Sequence, residues 1–443
     1  MHKQKLFQKE TEKALENFPI SHIPFSFSLA QTISAIKIST AQAHKALGTL
    51  DKTIADAIIE AGQEILDGQW KEQFVVDQIQ GGAGTSIHMN VNEVIATRAT
   101  LLLKNKIVVH PIDHVNLAQS TNDVIPSAMK IHTLQMLDTL IKTYEELIRG
   151  FEKKTKEFQS ILKVGRTHLQ DAVPITLGQE FEAHAFMAQR DTQRLLHAKK
   201  CLYEINLGGS AIGTGLTGSK AYTTSATEFL KKITGYPLIS SSNLISCTQY
   251  PDAFLEVSST LTVLCANLIK CMNDLRLLCS GPRAGFNEIQ FEERQKGSSI
   301  MPGKVNPIMP ETMNQICFQV IGNNQTILMA TQAGQLELNV MLPIVGKNLS
   351  ESLTLLTNGL QAFIKYGLSS LKANTQQCEQ TFENSLCMAT ALSPHIGYDA
   401  TAQFVKKSLS ENKTLKEIIK QEKILNEFEY KKIFDVNTLT EME

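Results

Sequence analysis

Over most of this chain the hydrophobic positions recur at helical spacing. From Ser127 onward, Leu134, Leu137, Ile141, Tyr144, Ile148 and Phe151 follow one another at alternating intervals of three and four, which lays an apolar seam along one face of an α-helix. From Asp252 to Cys279 the apolar residues, Phe254, Leu255, Val257, Leu261, Val263, Leu264, Leu268 and Ile269 among them, cover nearly the whole circumference. Such a helix belongs in the middle of a bundle or at a subunit interface. The same spacing predicts helices over Gln179–Ile205, Pro310–Thr331 and Val345–Lys372. No stretch alternates in the manner of strands paired through hairpin turns. The fold class is therefore all-α, with helices long enough for an elongated bundle. Faint breaks divide it into an N-terminal helical segment, 1–118, a central long-helix bundle, 119–373, and a small, more charged C-terminal helical part, 374–443.

Composition narrows the function classes. With 43 Lys and Arg against 44 Asp and Glu, nothing draws the chain toward nucleic acid or an anionic membrane. Met1-His2-Lys3-Gln4-Lys5 is followed by no apolar h-region, and no run is expected to cross a membrane. The eight cysteines form no C-x-x-C pair and read as reduced, mostly buried thiols, so the expected compartment is the cytoplasm.

Polar islands interrupt the helices. The most pronounced is Gly297-Ser298-Ser299-Ile300-Met301-Pro302-Gly303-Lys304-Val305-Asn306-Pro307, in which two hydroxyls, an ammonium and an amide sit among glycines and prolines. That chemistry suits a small anion. It is not a phosphate loop: one residue too many precedes Gly303-Lys304, and Val305 stands where a magnesium-binding hydroxyl belongs. Gly84-Thr85-Ser86, with His88 and Asn90 beyond it, Gln119-Ser120-Thr121-Asn122-Asp123, Gly165-Arg166-Thr167-His168-Leu169-Gln170-Asp171 and Gly334-Gln335-Leu336-Glu337-Leu338-Asn339 are the others. Taken singly, each is explained by helix capping and turn formation. His110 and His114 have the spacing of a helical ligand pair, but Pro111 lies between them and no third ligand is evident, so no metal is assigned. Neither Gly82-Ala83-Gly84 nor Gly208-Gly209 completes a dinucleotide fingerprint, and no cofactor is assigned.

Taken together and in order, the islands resemble the active-site segments of the fumarase/aspartase superfamily, from about Glu16 to near the end of the chain. Gly303-Lys304-Val305-Asn306 is similar to the fumarase and aspartase branches. Ser280-Gly281-Pro282-Arg283-Ala284-Gly285, Phe318-Gln319-Val320-Ile321-Gly322-Asn323, Gln335-Leu336 and Thr121 lean toward the aspartase branch. The resemblance implies three mainly helical domains, a homotetramer built on a shared bundle, and active sites assembled from three subunits. It implies elimination of ammonia from L-aspartate, a small dicarboxylate, to give fumarate, through an aci-carboxylate intermediate. Ser298 matches the general base, and His168 is the second catalytic candidate. Thr85, Ser120, Thr121 and Ser299 match donors at or near the β-carboxylate, Lys304 and Asn306 match anchors of the α-carboxylate, and Thr167, His168 and Asn122 match contacts around the α-carboxylate and ammonium end. Hydration of fumarate, or a non-catalytic assembly role on the same scaffold, are the alternatives.

Two stretches depart from the family pattern. Leu6–Ala14 keeps mainly Thr11 and Ala14 of a usual arm segment, with Lys13 at an Arg position. His110-Pro111-Ile112-Asp113 carries Ile112 where a secondary anion site has an amide, so that site is not carried over.

Overall fold

A computed structural model describes residues 5–440, so Met1–Gln4 of the leader reading lie outside the described residues. The chain forms α1 Lys9–Asn17, α2 Phe27–Leu47, α3 Lys52–Leu66, α4 Thr85–Leu102, α5 Thr121–Glu157, β1 Leu162–Thr167, β2 Gln170–Thr176, α6 Leu177–Ala198, β3 Glu204–Ile205, α7 Lys220–Thr234, β4 Ile239–Ser240, α8 Leu244–Gln249, α9 Asp252–Leu278, β5 Ile289–Gln290, α10 Ile308–Gln332 and α11 Leu342–Ala362. After β6 Lys372–Ala373 come six short helices: α12 Thr375–Asn384, α13 Met388–Ile396, α14 Tyr398–Glu411, α15 Leu415–Gln421, α16 Glu427–Ile433 and α17 Val436–Thr440. The described residues are all-α in class, with strands only as three two-stranded pairs.

Two compact units result. The first takes the chain up to Ile141 with Gln193–Cys265 and Phe318–Thr357; the second takes Lys142–Thr192, Ala266–Cys317 and the chain from Asn358 on. In the first unit α2 packs on α3 and α7, and α3 on α4. Ser26 and Asp51 cap α2 and α3 by accepting from the backbone N–H groups of Leu29 and of Thr53 and Ile54. The buried Glu93 carboxylate on α4 fastens α1, accepting from the N–H groups of Gln8 and Glu10 at 2.8 Å and from the Thr11 hydroxyl at 2.6 Å. Thr11 and Ala14 are the buried residues of α1.

In the second unit the β1–β2 hairpin is antiparallel and irregular between Val164 and Arg166. A Cβ on Gly165 would lie 2.5 Å from the Val173 carbonyl oxygen, so only glycine admits that bulge. Lys163, although buried, pairs with Glu180 at 2.6 Å and Glu288 at 3.0 Å, and Arg166 pairs with Glu288 at 2.8 Å. A satellite core of Val164, Phe382, Cys387, Met388 and Leu415 supports the hairpin.

The seam from Leu134 to Phe151 lies within α5. In α9 Phe254, Val257, Leu261, Leu264 and Leu268 are buried. Contrary to the sequence reading, α9 is long and apolar enough to cross a membrane by length and composition, the only such helix among the described residues. The β1–β2 hairpin was likewise not expected. Its inward positions include the charged Lys163, and its turn lacks glycine, so the usual alternation is masked.

Candidate active site

The candidate residues fall into two groups, one in each unit. In the first unit Gly82, Ala83 and Gly84 take left-handed φ values of 80°, 57° and 92° and turn the chain into α4. Thr85 then opens the helix with an exposed side chain, its hydroxyl donating to the Gly82 carbonyl at 2.6 Å.

The start of α5 is held from beneath by Asp123. Its buried carboxylate accepts from the Ser120 N–H at 2.9 Å on one oxygen, and from the Gly208 and Ser210 N–H groups at 3.0 and 3.1 Å on the other. Burial pushes its pKa up to about 6, with these three donors and the Lys37 charge pulling the other way. Ser120 Oγ accepts from the Asn122 N–H at 3.2 Å, and the Asn122 amide donates to the Ala211 carbonyl at 2.8 Å. Ser120, Thr121 and Asn122 are all half-buried, so each keeps a path to solvent or ligand.

Beneath Thr121 lies a buried polar chain. His88 Nδ1 is 2.9 Å from Thr121 Oγ1, and His88 Nε2 is 2.7 Å from Lys37 Nζ. Lys37 Nζ also reaches Asn116 Oδ1 and Gln119 Oε1, each at 2.8 Å. Burial drives the Lys37 pKa well below the usual lysine value, opposed by the Asp123 charge. Burial and then the Lys37 charge drive His88 well below the usual histidine value. Sequence reasoning assigned neither Lys37 nor Gly208–Ser210 to the site. Lys37 did carry a signal: it is the only charged residue between Phe27 and Ala43.

In the second unit, Thr167 and His168 sit exposed at the tip of the β1–β2 hairpin. His168 and Leu169 form its two-residue turn, both left-handed at φ 53° and 62°, a conformation that glycine or asparagine normally fills. One rung below the turn, Arg166, opposite Asp171, lays its guanidinium over the Phe286 ring, 4.3 Å from the centroid.

The loop from Gly297 to Pro307 closes on itself. Asn306 donates its amide to the Gly297 carbonyl at 2.7 Å, and a Cβ on Gly297 would fall 1.7 Å from the Lys304 carbonyl oxygen. Within this clasp the half-buried Ser298 Oγ accepts from the backbone N–H groups of Ile300 and Met301, both at 3.1 Å. Two donors aimed at one hydroxyl oxygen favour its deprotonated form. Ser299 and the Lys304 side chain are exposed, and Lys304 has no carboxylate partner among the described residues. His110 and His114 serve a local turn: His110 Nδ1 accepts from the Asp113 N–H at 3.1 Å, and His114 Nδ1 from the His110 N–H at 2.9 Å.

Comparison with known proteins places the chain. A family model described as "Lyase" matches residues 1–322, and one described as "Fumarase C C-terminus" matches residues 388–441. The aspartate ammonia-lyase of Bacillus subtilis is 45% identical over 95% of this chain and 89% of its own length. That of Escherichia coli K12 is 43% identical over 97% of this chain and 91% of its own length. Among solved structures, the cobalt-bound fumarate lyase:delta crystallin of Brucella melitensis superposes with a TM-score of 0.95 at 41% identity, covering 98% of this chain and 96% of that one. The class II fumarase of Schistosoma mansoni gives a TM-score of 0.91 at 31% identity, over 98% and 96%. With a lyase family model over residues 1–322 and aspartate ammonia-lyases 43–45% identical over nearly the whole chain, the chain belongs to the fumarase/aspartase family of lyases.

Proposed function

We infer that this chain is an aspartate ammonia-lyase, a carbon–nitrogen lyase that interconverts L-aspartate with fumarate and ammonia. The observation that carries its mechanism is the pair of backbone N–H groups converging on Ser298 Oγ. The proton to be removed lies on the carbon beside the β-carboxylate and is weakly acidic, so the elimination needs both an effective base and a sink for the carbanion's charge. Ser298, with its oxyanion favoured by Ile300 and Met301, takes that proton. The electron pair moves first onto the β-carboxylate as the aci-carboxylate, then returns to form the Cα–Cβ double bond as the C–N bond breaks and ammonia leaves.

Ser120, Thr121 and Ser299 are assigned to the β-carboxylate, and Thr85 joins them only by turning its hydroxyl proton away from the Gly82 carbonyl. The exposed Lys304 ammonium and Asn306 hold the α-carboxylate, although Asn306 also spends one N–H on Gly297. Thr167 and His168 face the α-carboxylate and ammonium end, joined by Asn122 through its remaining amide oxygen, and His168 is the second catalytic candidate.

The working assembly is a homotetramer. Its support is an exposed stripe on α10, Glu311, Gln315, Phe318, Gly322, Gln325 and Met329, whose spacing of four and three is that of a helix–helix seam. Phe318 is 58% and Met329 65% exposed in the single chain. The eight free cysteines support a reducing, cytoplasmic setting.

The test follows fumarate by its ultraviolet absorbance with L-aspartate and, separately, L-malate. Turnover of aspartate alone is expected, whereas turnover of malate alone replaces this reading with fumarase and silence with both replaces it with a non-catalytic scaffold. Ser298→Ala is expected to abolish turnover with the assembly intact by light scattering; near-normal turnover removes Ser298 from the role of base.

A further inference from the structure

We propose that Lys37 and His88 are positioning residues for this reaction: through two successive hydrogen bonds they turn the Thr121 hydroxyl into a donor aimed at the substrate carboxylate. The proposal rests on the reading of Thr121 as a carboxylate contact. Neither Lys37 nor His88 reaches solvent, so neither touches the substrate, and the hydrogen-bond route from them toward it ends at Thr121 Oγ1.

The direction of the chain of bonds follows from proton counting. Lys37 Nζ faces three groups, His88 Nε2 at 2.7 Å and the side-chain oxygens of Asn116 and Gln119 at 2.8 Å. Both amides are locked in the orientation that offers oxygen. Asn116 Nδ2 donates to the Gln119 carbonyl at 3.2 Å, and Gln119 Nε2 points to Thr40 Oγ1 and the Val115 carbonyl, each at 3.2 Å. Lys37 is taken as the ammonium, the form favoured by two amide oxygens fixed as acceptors and by the Asp123 charge against the pull of burial. With three protons and no lone pair, it requires all three close partners to accept. His88 Nε2 is then unprotonated, the ring proton sits on Nδ1, and Nδ1–H donates to Thr121 Oγ1 at 2.9 Å. Thr121, having accepted from below, keeps its own proton for a group on its open side. A second positive charge on His88 would lie against Lys37 in a buried site, and the ring's lowered pKa keeps it neutral. Burial pulls on Lys37 too, but the nearby Asp123 carboxylate opposes it.

A threonine free to rotate divides its time between donating and accepting, and each turn must be undone before it serves a developing carboxylate charge. One fixed in advance avoids that reorganisation, which is where the largest part of such stabilisation arises.

Kinetics and spectroscopy on the full-length protein test this. Thr121→Val and His88→Leu are each expected to lower kcat for L-aspartate about 10- to 100-fold with a smaller change in KM, the pattern of a donor made chiefly in the transition state. The double variant is expected to be no worse than Thr121→Val alone. Unimpaired Thr121→Val overturns the reading of Thr121 itself. Impaired Thr121→Val with a His88→Leu that is normal, or whose loss multiplies with it, overturns only the positioning role. Independently of any variant's folding, 15N resonances of histidine-labelled native protein, with His88 identified by its loss in His88→Gln, are expected to report protonation at Nδ1. Protonation at Nε2 reverses the chain of bonds and overturns the proposal.

Discussion

Gly297→Ala is the sharpest probe of the signature loop, because it replaces none of the proposed catalytic side chains and acts only on their placement. A Cβ there would sit 1.7 Å from the Lys304 carbonyl oxygen and 2.6 Å from its carbon, whereas ordinary contact begins at 3.4 Å. The obstacle is backbone, not the end of a flexible side chain, so the two strands of the loop must part by about 1.7 Å. Parting them breaks the Asn306–Gly297 clasp and moves Ser298 relative to Lys304 and Asn306. A misplacement of about 1 Å in a reacting geometry costs on the order of 100-fold, or about 2.7 kcal/mol of barrier. Initial rates of fumarate formation from L-aspartate should therefore fall at least about 100-fold. The loop is largely exposed, so the thermal midpoint should move by no more than about 2 °C. Gly303→Ala provides the contrast: its φ of 76° disfavours alanine by about 1–2 kcal/mol, but a Cβ there meets nothing within 4 Å. It should cost activity far less than Gly297→Ala. Turnover of Gly297→Ala within threefold of the native enzyme, or equal damage from both changes, would refute the view that the Gly297–Lys304 approach sets the geometry of the base.

Two further outcomes follow from buried or strained groups. His132, buried with its Nε2 2.8 Å from Ser28 Oγ, has its pKa lowered by burial from 6.5 to about 4. The unfolded chain then binds the proton more readily than the folded one, so this group's contribution to stability is whole above about pH 6.5 and is lost as pH falls toward 4, a change of roughly 3 kcal/mol. Denaturant unfolding across that range should show a shallower loss in His132→Gln, and an unchanged slope would sink the assignment. Leu169→Gly relieves a left-handed leucine at the hairpin tip that is 64% exposed, and should stabilise the protein by about 1 kcal/mol; a lowered thermal midpoint would show that Leu169 packs in a way that outweighs its strain.

What could be read from the sequence depended on how far away each residue's partner lay. The long helices were legible because helical spacing is local: α5, α9 and α10 fall where the apolar seams predict them, whereas the helix predicted over Val345–Lys372 ends as an α-helix at Ala362 and Lys372 pairs with Gln290 in β6. The predicted helix to Ile205 ends at Ala198, because Glu204 and Ile205 are drawn into a strand pair with Ile239 and Ser240. The signature loop was legible for the same reason as the helices. Ser298 finds its donors two and three residues on, and Gly297 meets Asn306 nine residues away, so its turn chemistry is written within one stretch. The support beneath Thr121 was not, since Lys37 is 51, 79 and 82 residues from the three groups it binds. Likewise Asp123 reads as an ordinary cap until Gly208 and Ser210, 85 and 87 residues on, arrive at its second oxygen. A charged residue alone in the buried run of a helix is thus the one local trace of such a network. Lys37 cannot remain charged in a core without acceptors, so its presence between Ile36 and Ile38 already requires remote polar groups to converge there. In this fold they converge directly beneath the Thr121 hydroxyl, and on the proposed contact of that hydroxyl with substrate the buried lysine gains a positioning use as well as a structural one.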